Sequence, residues 1–291
     1  MLAATLLLIA ALESAFSSAL YAADAPIQVA VSVPPQAYFV ERIAGEAVSV
    51  EVLIPPSASH ETYAPSPRQI VALERARLYV KVGHPQFLFE RQYIDPFLGS
   101  HPGIRVVNMS AGIDFIPAAE HEPIEGAQGA DIHVWLAPYT VRVAAQNIAR
   151  ALEDLDPARQ AQYRANLARF LADIDALDKD IRAMLSNLKQ RKFMIYHPAF
   201  GYFAKQYGLI QIAIETEGKE PSPPRLISLI QEARRDGIRT VFVEKGYSTK
   251  SAQVIAREIG GQVVELDPMA HDWLANMRRV AEVLSRSLDH G

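Results

Sequence analysis

The 291-residue chain contains no cysteine. Disulfides and thiolate metal sites are therefore excluded, a cysteine-borne lipid anchor has no residue to sit on, and any bound metal must be held by nitrogen and oxygen. A run of Lys and Arg is also missing. The 29 basic residues are scattered against 33 acidic ones, for a formal charge of −4, and a nucleic-acid surface needs concentrated positive charge. Beyond the N-terminus no apolar stretch approaches the ~20 residues of a membrane span. Neither an H-E-x-x-H pair nor a nucleophile elbow occurs.

What is present is a globular composition, 49% hydrophobic and 21% charged, at the length of one large or two ordinary domains. The opening "MLAATLLLIAALESAFSSALYAADAP" has an apolar run from Leu2 to Leu12 and small residues from Ala19 to Ala25. That is the layout of a secretory signal, although Glu13 interrupts it and no basic residue precedes Arg42. The expectation is a signal peptide over 1–25, cleaved between Ala22 and Ala25, and a mature chain free in the periplasm.

Short β-rich runs then alternate with helical patterns: "IQVAVSV", "AYFVERIAG", "VSVEVLI", "SPRQIVALERA", "LYVKVG". This is the rhythm of parallel sheets with crossover helices. It breaks after Asp156 and Pro157, a helix-start pair, because no Gly or Pro follows until Pro198. Tyr163, Leu167, Phe170, Leu171, Ile174, Leu177, Ile181, Met184, Leu185 and Leu188 keep helical steps of three and four. One helix of ~48 Å is implied. The predicted organisation is an N-terminal α/β lobe at 26–156, a linking helix at 157–190 and a C-terminal α/β lobe at 191–291.

The lobes read as distant copies. "PSPRQIVALERARLYVKVG" and "PSPPRLISLIQEARRDGIRTVFVEKG" share a Pro-Ser-Pro helix start, an apolar helix, a strand and a glycine. Upstream, "PPQAYFVERIAGEAVSVEV" and "HPAFGYFAKQYGLIQIAI" share Pro, Tyr-Phe and a following strand. The fold class is thus α/β, two similar parallel-sheet lobes with a ligand cleft between them.

Of eight histidines, three stand where strands end. His60 follows "VSVEVLI" by a proline-rich loop, His133 lies in "DIHVWLAP", and His197 closes "KFMIYH"; Asp267 follows "GQVVEL" by the same rule. Ligands of open α/β sheets bind beyond the carboxyl ends of the strands, so these four side chains are candidates to converge in the cleft.

With "HETYAPSPRQI", "DIHVWLAP", "HPAFGYFAKQYG", "EGKEPSP" and "LDPMA" in this order, nearly the whole mature chain resembles the zinc/manganese solute-binding proteins of ABC importers, cluster A-I. The resemblance implies two lobes on one rigid helix, a metal buried between them, and ligand roles for His60, His133, His197 and Asp267. It also implies a membrane permease as partner and no catalytic activity; the chain is expected to act as a monomer. Manganese-type relatives typically carry Glu at the third position, where this chain has His197. Imidazole and carboxylate suit Zn²⁺, Mn²⁺, Fe²⁺ or Cu²⁺, and affinity order places Zn²⁺ above Mn²⁺.

Zn²⁺ is therefore the expected cargo, with a manganese or iron binder of the same family as the alternative. An exported zinc hydrolase is a third reading, since three His with an open position is a catalytic arrangement. Glu61, Glu217, Glu220 and Glu244 are candidates to accept the ligands' second ring N–H. The segment "AAEHEPIEGAQGAD" holds one histidine, His121, where zinc-type relatives often carry a long His-rich insertion. His84, His101, His271 and His290 are expected to be surface or structural.

Overall fold

The computed structural model describes residues 25–56, 58–117, 130–215, 219–245 and 250–289. The signal-peptide expectation, Glu217, His121 and His290 lie outside the described residues. Two four-stranded parallel sheets carry the two lobes. In the first, β1 (Ile27–Val31), β2 (Val48–Val52), β3 (Leu78–Lys81) and β4 (Arg105–Asn108) run in the order β2-β1-β3-β4. In the second, β5 (Lys192–Ile195), β6 (Ile210–Ala213), β7 (Thr240–Glu244) and β8 (Gln262–Leu266) repeat that order as β6-β5-β7-β8. The identical order, reached through the same βαβ-loop-αβ path, is the three-dimensional counterpart of the duplicated sequence pattern.

The helices α1 (Pro34–Ala44), α2 (Pro67–Glu74), α3 (Asp95–Ser100), α4 (Pro138–Leu155), α5 (Gln160–Leu185), α6 (Gly201–Tyr207), α7 (Pro223–Arg235), α8 (Lys250–Glu258) and α9 (Trp273–Asp289) connect and cover these sheets. Both Pro-Ser-Pro starts are real caps. Ser66 Oγ accepts from Gln69 N while Gln69 Oε1 accepts from Ser66 N at 2.8 Å, and Ser222 Oγ accepts from Arg225 N. Each serine thus satisfies an N–H with no partner inside its helix, and each proline occupies a first-turn position that needs no donor.

The regular long helix is shorter than the sequence suggests. Pro157–Arg159 form a 3₁₀ turn and α5 ends at Leu185, so its 26 residues span about 39 Å. Asp156 precedes that turn, and its Oδ2 accepts from Arg159 Nη1 at 2.7 Å and Tyr163 Oη at 2.9 Å. Helix α5 buries Tyr163, Phe170, Ile174, Leu177, Ile181 and Leu185 against α1, α4 and α9, and Arg42 and Arg278 pair with its Asp173 and Asp180. One hydrophobic core therefore runs from the N-terminal sheet through α5 to one face of the C-terminal sheet. A smaller cluster around Leu229, Val241 and Ile255 fills that sheet's other side. No described helix is long and apolar enough to cross a membrane.

The chain's two tryptophans clasp the lobes together. Trp135, next to His133, donates from Nε1 to Pro268 O at 2.9 Å, and Trp273 Nε1 donates to Trp135 O at 2.6 Å. Both indoles are buried, and burial of an N–H requires such a partner.

Candidate metal centre

The local backbone brings each of the three histidines to one place, but only His197 stands at a strand end; His60 and His133 lie in loops. His60 sits in the loop after β2, where Ser59 O accepts from Thr62 N and Tyr63 N and turns the chain back. His133 precedes the 3₁₀ turn Val134–Leu136 and is fixed by Asp131, whose Oδ1 accepts from both His133 N (2.8 Å) and His133 Nδ1 (2.7 Å). His197 lies two residues past β5. All three are at most 4% exposed.

Their imidazoles meet edge to face, with ring centroids 4.9, 5.1 and 5.7 Å apart. His133 Nε2 is 3.0 Å from His60 Nε2 and 3.3 Å from His197 Nε2. Because His133 Nδ1 donates to Asp131 and His197 Nδ1 donates to Glu215 Oε1 at 2.7 Å, the Nε2 atoms are left to face one another. Nitrogens bound tetrahedrally at 2.0–2.1 Å to one Zn²⁺ are about 3.3 Å apart, so these separations fit a single small ion.

The surroundings set the charge of each ring. Burial, and then the neighbouring imidazoles, push His60 and His133 well below the usual histidine range, so both are neutral ligands at pH 7. Burial works the same way on His197, but Glu244, Glu215 and Glu61 outweigh it and raise this imidazole to about 9. Metal binding at its Nε2 must therefore displace a proton. Desolvation also raises Asp131 to about 7 and Glu244 to about 8.

Strand register explains the carboxylates around His197. Extending the β5–β6 register (Ile195 with Ala213) by two residues sets Glu215 on one side of His197, and extending the β5–β7 register (Ile195 with Phe242) sets Glu244 on the other. Glu61, from the His60 loop, approaches the same ring, its Oε1 3.7 Å from His197 Nδ1. Of the expected partners, Glu61 and Glu244 thus lie at the centre, whereas Glu220 is exposed and accepts from the Ser251 hydroxyl.

Sequence reasoning did not name Asp131 or Glu215. Glu215 obeys the same strand-end rule that singled out Asp267, being two residues past β6; Asp131, in "DIH", reaches its histidine through a local turn that spacing alone does not reveal. Asp267 itself follows β8 directly, but among the described residues the close group of ligand atoms is His60, His133 and His197 without it. Its Oδ1 accepts instead from Met269 N at 2.9 Å. His84 is buried against Phe115, His101 stacks on Phe97, and His271 pairs with Glu41 at the surface.

A glycine holds the Asp131 support in place. A Cβ on Gly201, the first residue of α6, would stand 2.3 Å from Asp131 Oδ2, so glycine lets the helix approach this carboxylate without displacing it.

Comparison with known proteins then decides the family. Residues 29–287 match the ZnuA family, described as the periplasmic component A of a zinc-uptake complex. The chain belongs to this family. It is 29% identical over 258 residues to the high-affinity zinc uptake system protein ZnuA of Bacillus subtilis, an alignment covering 84% of this chain and 78% of the relative. A 34% identity over 171 residues relates it to the zinc-binding protein AdcA of Streptococcus pyogenes; there the match spans 55% of this chain and 33% of that longer protein. Among solved structures, a ZnuA crystal structure superposes with a TM-score of 0.84 at 39% identity, covering 90% of this chain and 99% of the other. A ZnuA deletion mutant with zinc bound gives 0.83 at the same identity, covering 90% and 98%. These ZnuA relatives share the two-lobed parallel α/β architecture.

Proposed function

We propose that the protein is an exported, monomeric carrier that takes one Zn²⁺ between its lobes on His60, His133 and His197 and presents it to an ABC permease at the membrane. The observation that carries this reading is the convergence of three buried Nε2 atoms, two of them oriented by carboxylates on the opposite ring nitrogen. Asp267 becomes the fourth ligand when its carboxylate leaves Met269 N. Three imidazoles place Zn²⁺ above Mn²⁺ and Fe²⁺ by the affinity order. The names of the ZnuA and AdcA relatives support zinc as cargo and uptake as the role. Binding rather than hydrolysis is favoured because the family is a transport component and the ion would be enclosed by buried side chains.

Metal analysis and competitive titration of the stripped protein test this. The expected result is one zinc per chain, not displaced by equimolar Mn²⁺, and an affinity that falls by more than 100-fold in His60→Ala, beyond the 10–100-fold typical of losing only a supporting residue. Wild-type affinity in His60→Ala, or displacement of zinc by equimolar Mn²⁺, overturns it.

A further inference from the structure

Trp135 touches three segments that carry metal-binding groups. His133 is two residues before it, with ring centroids 5.3 Å apart, and the His60 imidazole stands edge-on to the indole at 6.0 Å and 87°. The indole is fully buried. Its single polar atom, Nε1, points away from both imidazoles' own lobe and donates to Pro268 O at 2.9 Å, next to Asp267.

The Asp267 loop is gripped from a second side as well. Asn276 Nδ2, on α9, donates to Asp267 O at 2.7 Å, so the carbonyls of residues 267 and 268 are each held. Asp267 also precedes a proline, which restricts its backbone to extended forms. What remains free is the side chain. Its carboxylate rests on Met269 N at 2.9 Å and can exchange that donor for an ion by rotating about its own bonds, with no movement of the loop.

We propose that Trp135 is a positioning residue for the bound ion: its N–H holds Pro268, and through it Asp267, at a fixed distance from the imidazoles that its ring backs. A tryptophan has only two rotatable side-chain bonds, so one rigid group sets the separation between ligands from different lobes. The proposal rests on the reading of Asp267 as fourth ligand and adds what places that ligand. Removing the N–H should cost the ion its carboxylate and spare the three imidazoles.

The test is a double-mutant cycle on zinc affinity, read by competition with a chelating dye, with the visible spectrum of bound Co²⁺ as a second readout. Asp267→Ala should weaken zinc by about 100-fold or more, and Trp135→Phe, which keeps a ring and deletes the donor, by about 10–100-fold, the range for losing a supporting residue. In the Asp267→Ala background, Trp135→Phe should change affinity by less than about twofold, because residues that act through one another are not additive. The cobalt bands of Trp135→Phe should match those of Asp267→Ala, a change of coordination that loss of stability alone does not produce. Trp273→Phe deletes the other N–H of the clasp, which bonds Trp135 O and not the Asp267 loop; it should lower stability and leave the bands unmoved. If Trp135→Phe does not fold, the tryptophan isostere with sulfur in place of the indole N–H, inserted at position 135, keeps the volume and removes the donor alone. Affinity within about twofold of wild type in the variant lacking the donor, or an equal loss with and without Asp267, overturns the proposal. Wild-type affinity in Asp267→Ala would strike the fourth ligand and this proposal with it, and would leave the three imidazoles of the function proposed above standing.

Discussion

The two lobes have the same strand order and the same helix starts, but the rows of residues just past their strands are opposite in character. In the C-terminal lobe the row is Glu215, His197 and Glu244. The equivalent row of the N-terminal lobe, found by extending the β1–β2 and β1–β3 registers by the same two residues, is Ile54, Val33 and Val82. Hydrogen bonds support the equivalence: Ile54 N donates to Ser32 O as Glu215 N donates to Tyr196 O. All six side chains are buried.

The N-terminal lobe does own a buried carboxylate beside its row, and it is tied off. Glu90 Oε1 accepts from Val82 N (2.6 Å) and Ser32 Oγ (2.5 Å), and Oε2 from Gly83 N (2.9 Å). A duplicated scaffold has thus kept one strand-end row apolar and made the other ionisable, and the N-terminal lobe brings His60 and His133 to the cluster through its loops.

Placing a carboxylate in the apolar row is the most disruptive way to break this contrast. Val82→Glu copies Glu244 into a site with no imidazole beside it, and should destabilise the protein by more than about 3 kcal/mol, since a buried unpaired charge ranks among the most damaging substitutions. Chemical denaturation reads it. A loss under 1 kcal/mol would mean that both rows tolerate ions equally.

Next in size are the two supports of the imidazoles. His197 is oriented by its own row through Glu215, whereas His133 depends on Asp131 in its own loop. Asp131→Asn should weaken zinc binding by about 10–100-fold, measured by competition with a chelating dye. An unchanged affinity would show that the indole clasp alone positions His133.

The tied carboxylate predicts a pH signature. Burial raises Glu90 from 4.5 to about 7 despite its hydrogen bonds to Ser32 and the backbone. Between those values the folded chain holds a proton that the unfolded chain has lost, so this residue's contribution to stability declines as pH rises from 4.5 to 7 and is level above. Glu90→Gln lacks that decline. Its destabilisation relative to the wild type, from N–H groups left unpaired, should be greatest near pH 4.5 and smaller at pH 8. Denaturation at both values checks the sign, and the opposite trend would place the titration elsewhere.

The smallest effect is expected at Gly201→Ala. The added methyl meets the Asp131 carboxylate and the Ile116 Cδ1 methyl, both ends of side chains that can yield, so zinc affinity should fall several-fold while the fold persists. A loss as large as that of Asp131→Asn would show that the carboxylate has no room to yield.

Much of this was legible in the sequence because it follows from local chemistry. Alternating strand and helix patterns specify the two lobes, Pro-Ser-Pro specifies the caps, and the strand-end rule specifies His197, whereas His60 reaches the cluster from a loop eight residues past β2. What the sequence hides depends on neighbours brought in by pairing. The Glu215–His197–Glu244 row exists only once the β5–β6 and β5–β7 registers are known, although the strand-end rule by itself reaches Glu215. Asp267 satisfies the same rule, yet its side chain is turned by a contact two residues along, with Met269 N. Glu90 depends on the turn at Gly83, whose φ of 76° presents its N–H to the carboxylate and suits glycine.

The indole clasp has an optical consequence. The chain contains two tryptophans, and both are buried in the strap that joins Pro268, Trp135 and Trp273 across the lobes. Tryptophan emission from this protein therefore originates entirely at the junction that must part for the cleft to gape, and none of it reports on remote surface. Trp135 also lies 5.3 Å, ring to ring, from His133, so a steady blue emission through loading and unloading marks lobes that stay fastened, and a shift to the red marks water reaching the strap.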